Sequence, residues 1–174
     1  KIYQESVQEL IGTYVLDASL GKDVVFHGAG REDIDALMLG NGRPFVLEVR
    51  SPRKRHIDLQ QLEHTVNSSQ EKVAICELTF VDHETVVKVK NTRSDKVYRL
   101  KVTYDHPIQP EKLQKALLQL EGDVEQTTPQ RVVHRRAELK RIKKVYSAEL
   151  RGEDIIIRCE GGLYVKELIS GDDR

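Results

Sequence analysis

Residues 27–45 read HGAGREDIDALMLGNGRPF, a stretch that sets Gly28, Gly30, Gly40 and Gly42 among two arginines (Arg31, Arg43) and three carboxylates (Glu32, Asp33, Asp35). Short apolar runs, Val24-Val25-Phe26 and Phe45-Val46-Leu47, flank it. Glycines at this density allow a backbone to turn through positive φ and to approach a ligand closely, and β-branched and aromatic flanks read as strands that hold the ends of the loop. A charged loop on a rigid frame is where functional groups gather, and a carboxylate beside an arginine stays ionised where a lone buried one would not. The plainer alternative is a solvated strand-to-strand connection.

Outward from this loop, Ile2, Val7, Leu10, Ile11 and Tyr14 recur at helical spacing and predict an amphipathic helix of about four turns. Asp23–Phe26 reads as the strand entering the loop and Phe45–Val49 as the strand leaving it. Beyond Pro52, the stripe Leu59, Leu62, Val66 predicts a helix over 57–67. Arg53, Lys54 and Arg55 stand at its entrance, where cations oppose the helix dipole, so a phosphate contact explains them better than stability does. Segments 72–81, 84–90 and 96–104 all carry strand character and suggest an antiparallel meander. In the third, alternation puts Val97, Arg99 and Lys101 on one side and Tyr98, Leu100 and Val102 on the apolar other. Glu111–Leu120 reads as a helix stopped by Gly122, segments 145–150 and 154–159 as a hairpin around Arg-Gly-Glu-Asp, and Gly161-Gly162 as the opening of a short apolar helix.

The chain has 174 residues, enough for one domain or two close lobes that bury roughly 70% of the unfolded surface. Its net charge is zero, which argues against a generally basic nucleic-acid binder, yet the charges are segregated. Arg50, Arg53, Lys54 and Arg55 cluster without an acid, and Arg131–Lys144 carries seven Arg and Lys residues against Glu138 alone. Such clusters attract phosphates even on a neutral molecule, although either could be a solvated face. Cys76 and Cys159 lie far apart in apolar runs and are expected to be small buried side chains; no CxxC pair signals zinc. No apolar run approaches the ~20 residues of a membrane span and no secretion signal is recognisable, so a soluble, cytoplasmic protein is expected.

Gly30-Arg-Glu-Asp33 resembles the G-R-x-D signature of pseudouridine synthases, and the longer GREDIDALMLGNGRPF is similar to the Pus-ten family of archaea and eukaryotes. Three further blocks follow in that family's order. Lys96-Val-Tyr-Arg-Leu100 resembles its K-x-Y-x-A motif, with leucine in place of alanine; Thr127–Ala137, TTPQRVVHRRA, is similar to its threonine-proline and R-V-x-H-R-R signature; and Gly162-Leu-Tyr-Val-Lys166 resembles its G-x-Y-I-R/K segment. The resemblance implies an α+β fold with a mostly antiparallel sheet, packed helices and a central cleft, and isomerisation of uridine to pseudouridine in the T-loop of tRNA at the positions conventionally numbered fifty-four and fifty-five. It implies Asp33 as the catalytic carboxylate, Tyr98 stacking on the target base, Arg31 and Lys166 as supporting cations with Lys166 paired to the carboxylate, and Leu168 and Ile169 lining the base pocket. Arg43, Arg53, Lys54, Arg55, Arg131, His134, Arg135 and Arg136 are the expected RNA contacts. No cofactor or metal is expected, and the partner is the tRNA T-arm, met by a monomer. Family members also carry an N-terminal THUMP-type RNA-binding region, so residues 1–174 read as a catalytic domain, with lobes at roughly 1–105 and 106–174 if the cleft divides it. Two rivals stay open: an RNA-binding module without catalysis, and a metal-dependent hydrolase built on His27, Glu32, Asp33 and Asp35.

Overall fold

A computed structural model of the chain describes residues 5–30, 36–92, 94–134 and 137–171. It is α+β, and every strand pairing among the described residues is antiparallel. The chain forms two compact units, 1–92 and 93–174. The division falls before the strand at 96–101, which a boundary near 105 would have assigned to the first unit; that strand finds its partner at 154–159, late in the chain.

In the first unit, α1 (Val7–Ser19) begins at a reciprocal capping box, with the Ser6 hydroxyl accepting from the Glu9 N–H and the Glu9 carboxylate accepting from the Ser6 N–H. It precedes a hairpin of β1 (Asp23–Gly28) and β2 (Phe45–Arg50), paired from Asp23↔Arg50 to Gly28↔Phe45. One face of the ribbon packs with α1 and α2 (Leu59–Ser69) around Ile11, Val15, Val24, Leu62, Val66 and Ile75. Gly12 is required there, because a Cβ would stand 2.7 Å from a Val24 methyl. The other face meets α3 (His83–Asn91) through Ala29, Val46, Val86 and Val89.

The meander expected over 72–104 does not form. Segment 84–90 lies in α3: its β-branched residues favour a strand, but Asp82 caps it by accepting from the Thr85 N–H at 3.0 Å, and Val86 and Val89 place a buried stripe at helical spacing. Segment 72–81 has no strand partner. The Gln70 carboxamide accepts from the Lys72 and Val73 N–H groups and donates to the Val73 carbonyl, and the Asn67 carboxamide pairs with both backbone groups of Ile75, at 2.7 and 2.8 Å.

The second unit is a four-stranded sheet in the order β3-β6-β5-β4: β3 (Lys96–Lys101), β4 (Gly122–Thr127), β5 (Lys140–Arg151) and β6 (Asp154–Cys159). Gly122, expected as a helix stop, opens β4 at φ 115°, after α4 (Pro110–Leu118) has ended. The expected hairpin forms as β5–β6, with Gly152 at φ 62° in its two-residue turn and Tyr146 as the extra residue of a bulge between Val145 and Ser147. Beyond Val145 the β5 edge outruns β4, and α4 covers it: Gln114 accepts from the Leu150 N–H at 2.9 Å. Glu121, just past the helix, accepts from the Ala148 N–H at 3.2 Å. The core collects Leu117, Val145, Ala148, Ile155, Ile157, Cys159, Leu163 and Val165. No helix among the described residues is long and apolar enough to cross a membrane.

The cysteines differ from expectation, since Cys159 is buried but Cys76, in the extended segment, is exposed. Burial first, with the Asp95 and Glu160 charges adding to it, pushes the Cys159 thiol up to about 11. Iodoacetamide at pH 8 is therefore expected to label Cys76 promptly and Cys159 only after denaturation, read by peptide mass spectrometry; equal labelling of both in the native protein would contradict this packing.

Candidate active site

The β1–β2 ladder holds the charged loop by its ends. The Ala29 N–H donates to the Pro44 carbonyl at 3.1 Å, and Ala29 itself is buried against α3. Gly30 sits at φ 94°, and the Arg43 guanidinium folds over it, with Nη1 3.1 Å from where a Cβ would stand. The Arg43 Nε and Nη1 atoms are withdrawn from solvent. Leu37, Met38 and Leu39 on the far side are exposed. Arg31, Glu32, Asp33 and Asp35 lie outside the described residues. His27 is buried on β1 with its Nε2 3.1 Å from Glu48 of β2, an engagement the hydrolase reading did not foresee. Among the described residues no three His, Cys, Asp or Glu side chains gather as a metal site.

Arg53, Lys54 and Arg55 are exposed, and their stretch is anchored by its backbone: the Arg53 and Lys54 N–H groups both donate to the Ser19 carbonyl, at 3.1 and 2.9 Å. They precede a groove of about 380 Å³ whose lining includes Tyr14, Asp17, Lys54, His56 and Gln61.

In the second unit, β3 alternates as its sequence predicts, with Tyr98 and Leu100 turned to the core and Val97, Arg99 and Lys101 exposed. Tyr98 stands opposite Ile157 and packs on the same apolar cluster as Leu168 and Ile169 of α6 (Val165–Ser170). Lys166 is on the exposed side of that short helix. The approach to α6 is shaped by Gly161, where a Cβ would lie 2.7 Å from the Ser94 carbonyl oxygen, and by Gly162 at φ 94°. A side chain at 161 would push backbone against backbone, so only glycine fits.

Several residues that pattern reading did not single out fix this segment. The Gln126 carboxamide on β4 donates to the Tyr164 carbonyl at 3.0 Å and accepts from the Tyr164 N–H at 2.9 Å. Arg141 of β5 donates to the Tyr164 hydroxyl at 3.2 Å and to the Thr128 hydroxyl at 3.3 Å. Thr128 is fully buried; its hydroxyl donates to the Ala137 carbonyl and accepts from the Leu139 N–H, closing the base of the basic 128–139 loop. Within that loop α5 (Gln130–Val133) carries Arg131, whose guanidinium forks onto Glu167 of α6, while His134 is exposed at its C-terminal end and Arg135 and Arg136 lie outside the described residues. The alternation Asp123-Val-Glu-Gln126 held the signal for β4, masked by taking Gly122 as a stop.

These features define a chain of two α+β units with antiparallel sheets, carrying the four motif blocks on a charged loop, an edge strand, a basic loop and a glycine-entered helix. The family described as Pus10, C-terminal, matches residues 1–174, and the chain belongs to it. A protein of Methanothrix thermoacetophila named tRNA pseudouridine synthase Pus10 is 52% identical over 178 residues, covering 99% of this chain and 39% of that protein. Proteins of the same name from Archaeoglobus fulgidus and Methanopyrus kandleri are 47% and 48% identical, with 99% of this chain and 50% and 42% of theirs covered. The chain thus spans about two-fifths to half the length of these curated relatives.

Replacing Gln126 by leucine keeps bulk but removes both of its hydrogen bonds to the Tyr164 backbone, while the Tyr164 carbonyl keeps the Leu168 N–H. The expected loss is about 1–3 kcal/mol of stability in urea unfolding; a variant as stable as wild type would mean that Gln126 does not hold this segment.

Proposed function

We propose that this chain supplies the catalytic part of a tRNA pseudouridine synthase that acts on the T-loop uridines conventionally numbered fifty-four and fifty-five. The observation that carries the reading is the family match across residues 1–174, joined by relatives of that name at 47–52% identity over 99% of the chain. The reaction breaks the bond from ribose C1′ to uracil N1, turns the base and joins C1′ to C5; N1 gains a proton and C5 loses one. The target nucleotide must leave its stack to allow this. In the proposed assignment Asp33 provides the carboxylate, as nucleophile or as base, with Arg31 beside it in the loop. Tyr98 stacks on the extruded base, and Leu168 and Ile169 supply apolar lining; their shared core cluster supports this grouping. Lys166 keeps Asp33 ionised, while Arg53, Lys54, Arg55, His134, Arg135 and Arg136 contact phosphates. No cofactor takes part in this scheme.

The test uses T-arm RNA tritiated at uracil C5, because isomerisation releases that hydrogen to solvent. Asp33→Asn keeps shape without a working carboxylate and is expected to lower tritium release by at least about a thousandfold while RNA affinity stays within about twofold. Asp35→Asn is expected to retain appreciable turnover. Equal loss at both positions would remove Asp33 from its role.

Lys166 gives a pH-dependent check. A carboxylate desolvated by a closing pocket is pushed toward its protonated form, and a neighbouring cation opposes that shift. With Lys166→Ala, the acid form of Asp33 persists to higher pH. The rising limb of the single-turnover pH profile is then expected to move upward, with a large rate loss near neutrality that shrinks as pH rises. Lys166→Arg is expected to keep partial activity, since the planar guanidinium demands different room. An alanine variant matching wild type across the range would make Lys166 an ordinary surface lysine.

A further inference from the structure

Arg131 lies in the basic loop and reads from sequence as an RNA contact, but its guanidinium is already engaged. Its Nε and Nη2 address the two oxygens of Glu167, the second at 3.3 Å, in a fork-to-fork pairing. The Glu167 side chain is only 11% accessible, against 38% for Arg131, so the pair joins a withdrawn carboxylate to a cation reaching down from the loop. Glu167 follows Lys166 directly on α6, whose amides close onto Tyr164 and Glu167: Leu168 N–H to the Tyr164 carbonyl and Gly171 N–H to the Glu167 carbonyl, both at 3.0 Å. The helix spans six residues and its N-cap residue, Tyr164, supplies no side-chain cap, so beyond its apolar packing its placement depends on ties to the sheet and the loop. Gln126 and Arg141 tie its start at Tyr164, and Arg131 ties its first turn at Glu167.

We propose that Arg131 is a positioning residue that acts through Glu167 to fix the Lys166 segment, and not a phosphate contact; this rests on the catalytic reading above. Removing Arg131 strands a withdrawn carboxylate without its cation, whereas neutralising Glu167 leaves an arginine that still reaches water. The two losses are therefore unequal, and the second relieves the first.

The experiment compares wild type, Arg131→Met, Glu167→Gln and the double variant, each folded at the assay temperature, on C5-tritiated T-arm RNA. Arg131→Met is expected to lower the single-turnover rate at saturating RNA by on the order of ten- to a hundredfold through misplacement of Lys166. RNA affinity and its salt slope are expected to stay unchanged. Adding Glu167→Gln is expected to recover a several-fold part of the lost rate. If Arg131→Met instead weakens binding and lowers the salt slope by about 0.7–0.9, with no recovery in the double variant, Arg131 is a phosphate contact and the proposal is overturned. Should wild type release no tritium at all, it is the catalytic reading that has failed. The brace is then judged by hydrogen exchange: Arg131→Met is expected to speed exchange at the Leu168 and Gly171 amides and the double variant to slow it again, and unchanged exchange would overturn the proposal.

Discussion

Backbone polar groups withdrawn from water must be paired, and in this chain carboxamide side chains meet that demand at several places where a strand edge or an extended segment lacks a neighbour. Gln8 accepts from the Phe26 N–H and donates to the Val24 carbonyl along the outer edge of β1; Asn67 and Gln70 serve the segment after α2; Gln114 serves the free end of β5; Gln126 serves Tyr164. A carboxamide presents one donor and one acceptor in the geometry of a peptide group, so it extends a ladder where no further strand exists. Two of the places to which functional residues are assigned follow from this. The hairpin that carries the charged loop is edged by Gln8, and the helix that carries Lys166 is hung from Gln126.

That device also explains what was legible in the sequence. Period and turn chemistry revealed the strands on either side of the charged loop, the one-sided helices α1, α2 and α4, the alternation that turns Tyr98 inward, and the β5–β6 hairpin. They failed where the deciding partner is a side chain remote from the pattern. Segment 72–81 has strand composition but takes its hydrogen bonds from Asn67 and Gln70, and no periodicity reports a missing neighbour. Segment 84–90 was obscured by valines, although Asp82 and Thr85 three positions apart are a cap signal of the kind that separates helix from strand. Of the assigned residues, Tyr98, Leu168 and Ile169 share one apolar cluster, whereas the pairings of Arg131 with Glu167 and of Arg43 over Gly30 had no trace in local pattern.

Charge is distributed to match. The exposed face of the four-stranded sheet is largely self-neutralised, with Lys140 against Glu125, Arg99 near Asp154, Arg151 on Glu149 and Arg158 on Asp95. Exposed pairs of this kind contribute little to stability, but they leave that face without a field that would hold a phosphate backbone. The stretch at Arg53–Arg55 has no such compensation among neighbouring residues in sequence, and its backbone is pinned to Ser19 at the end of α1. A neutral protein can thereby concentrate its attraction for anions in a few places.

The central claim, that this chain rearranges a uridine without cutting the strand, is tested most directly by the chemistry of the product. T-arm RNA incubated with the protein in the presence of EDTA, digested to nucleosides and resolved by chromatography with mass spectrometry, is predicted to show one uridine replaced by an isomer of equal mass that resists glycosidic fragmentation, on an RNA of unchanged length. Unmodified uridine throughout, or an RNA shortened only when divalent metal is restored, would contradict the account.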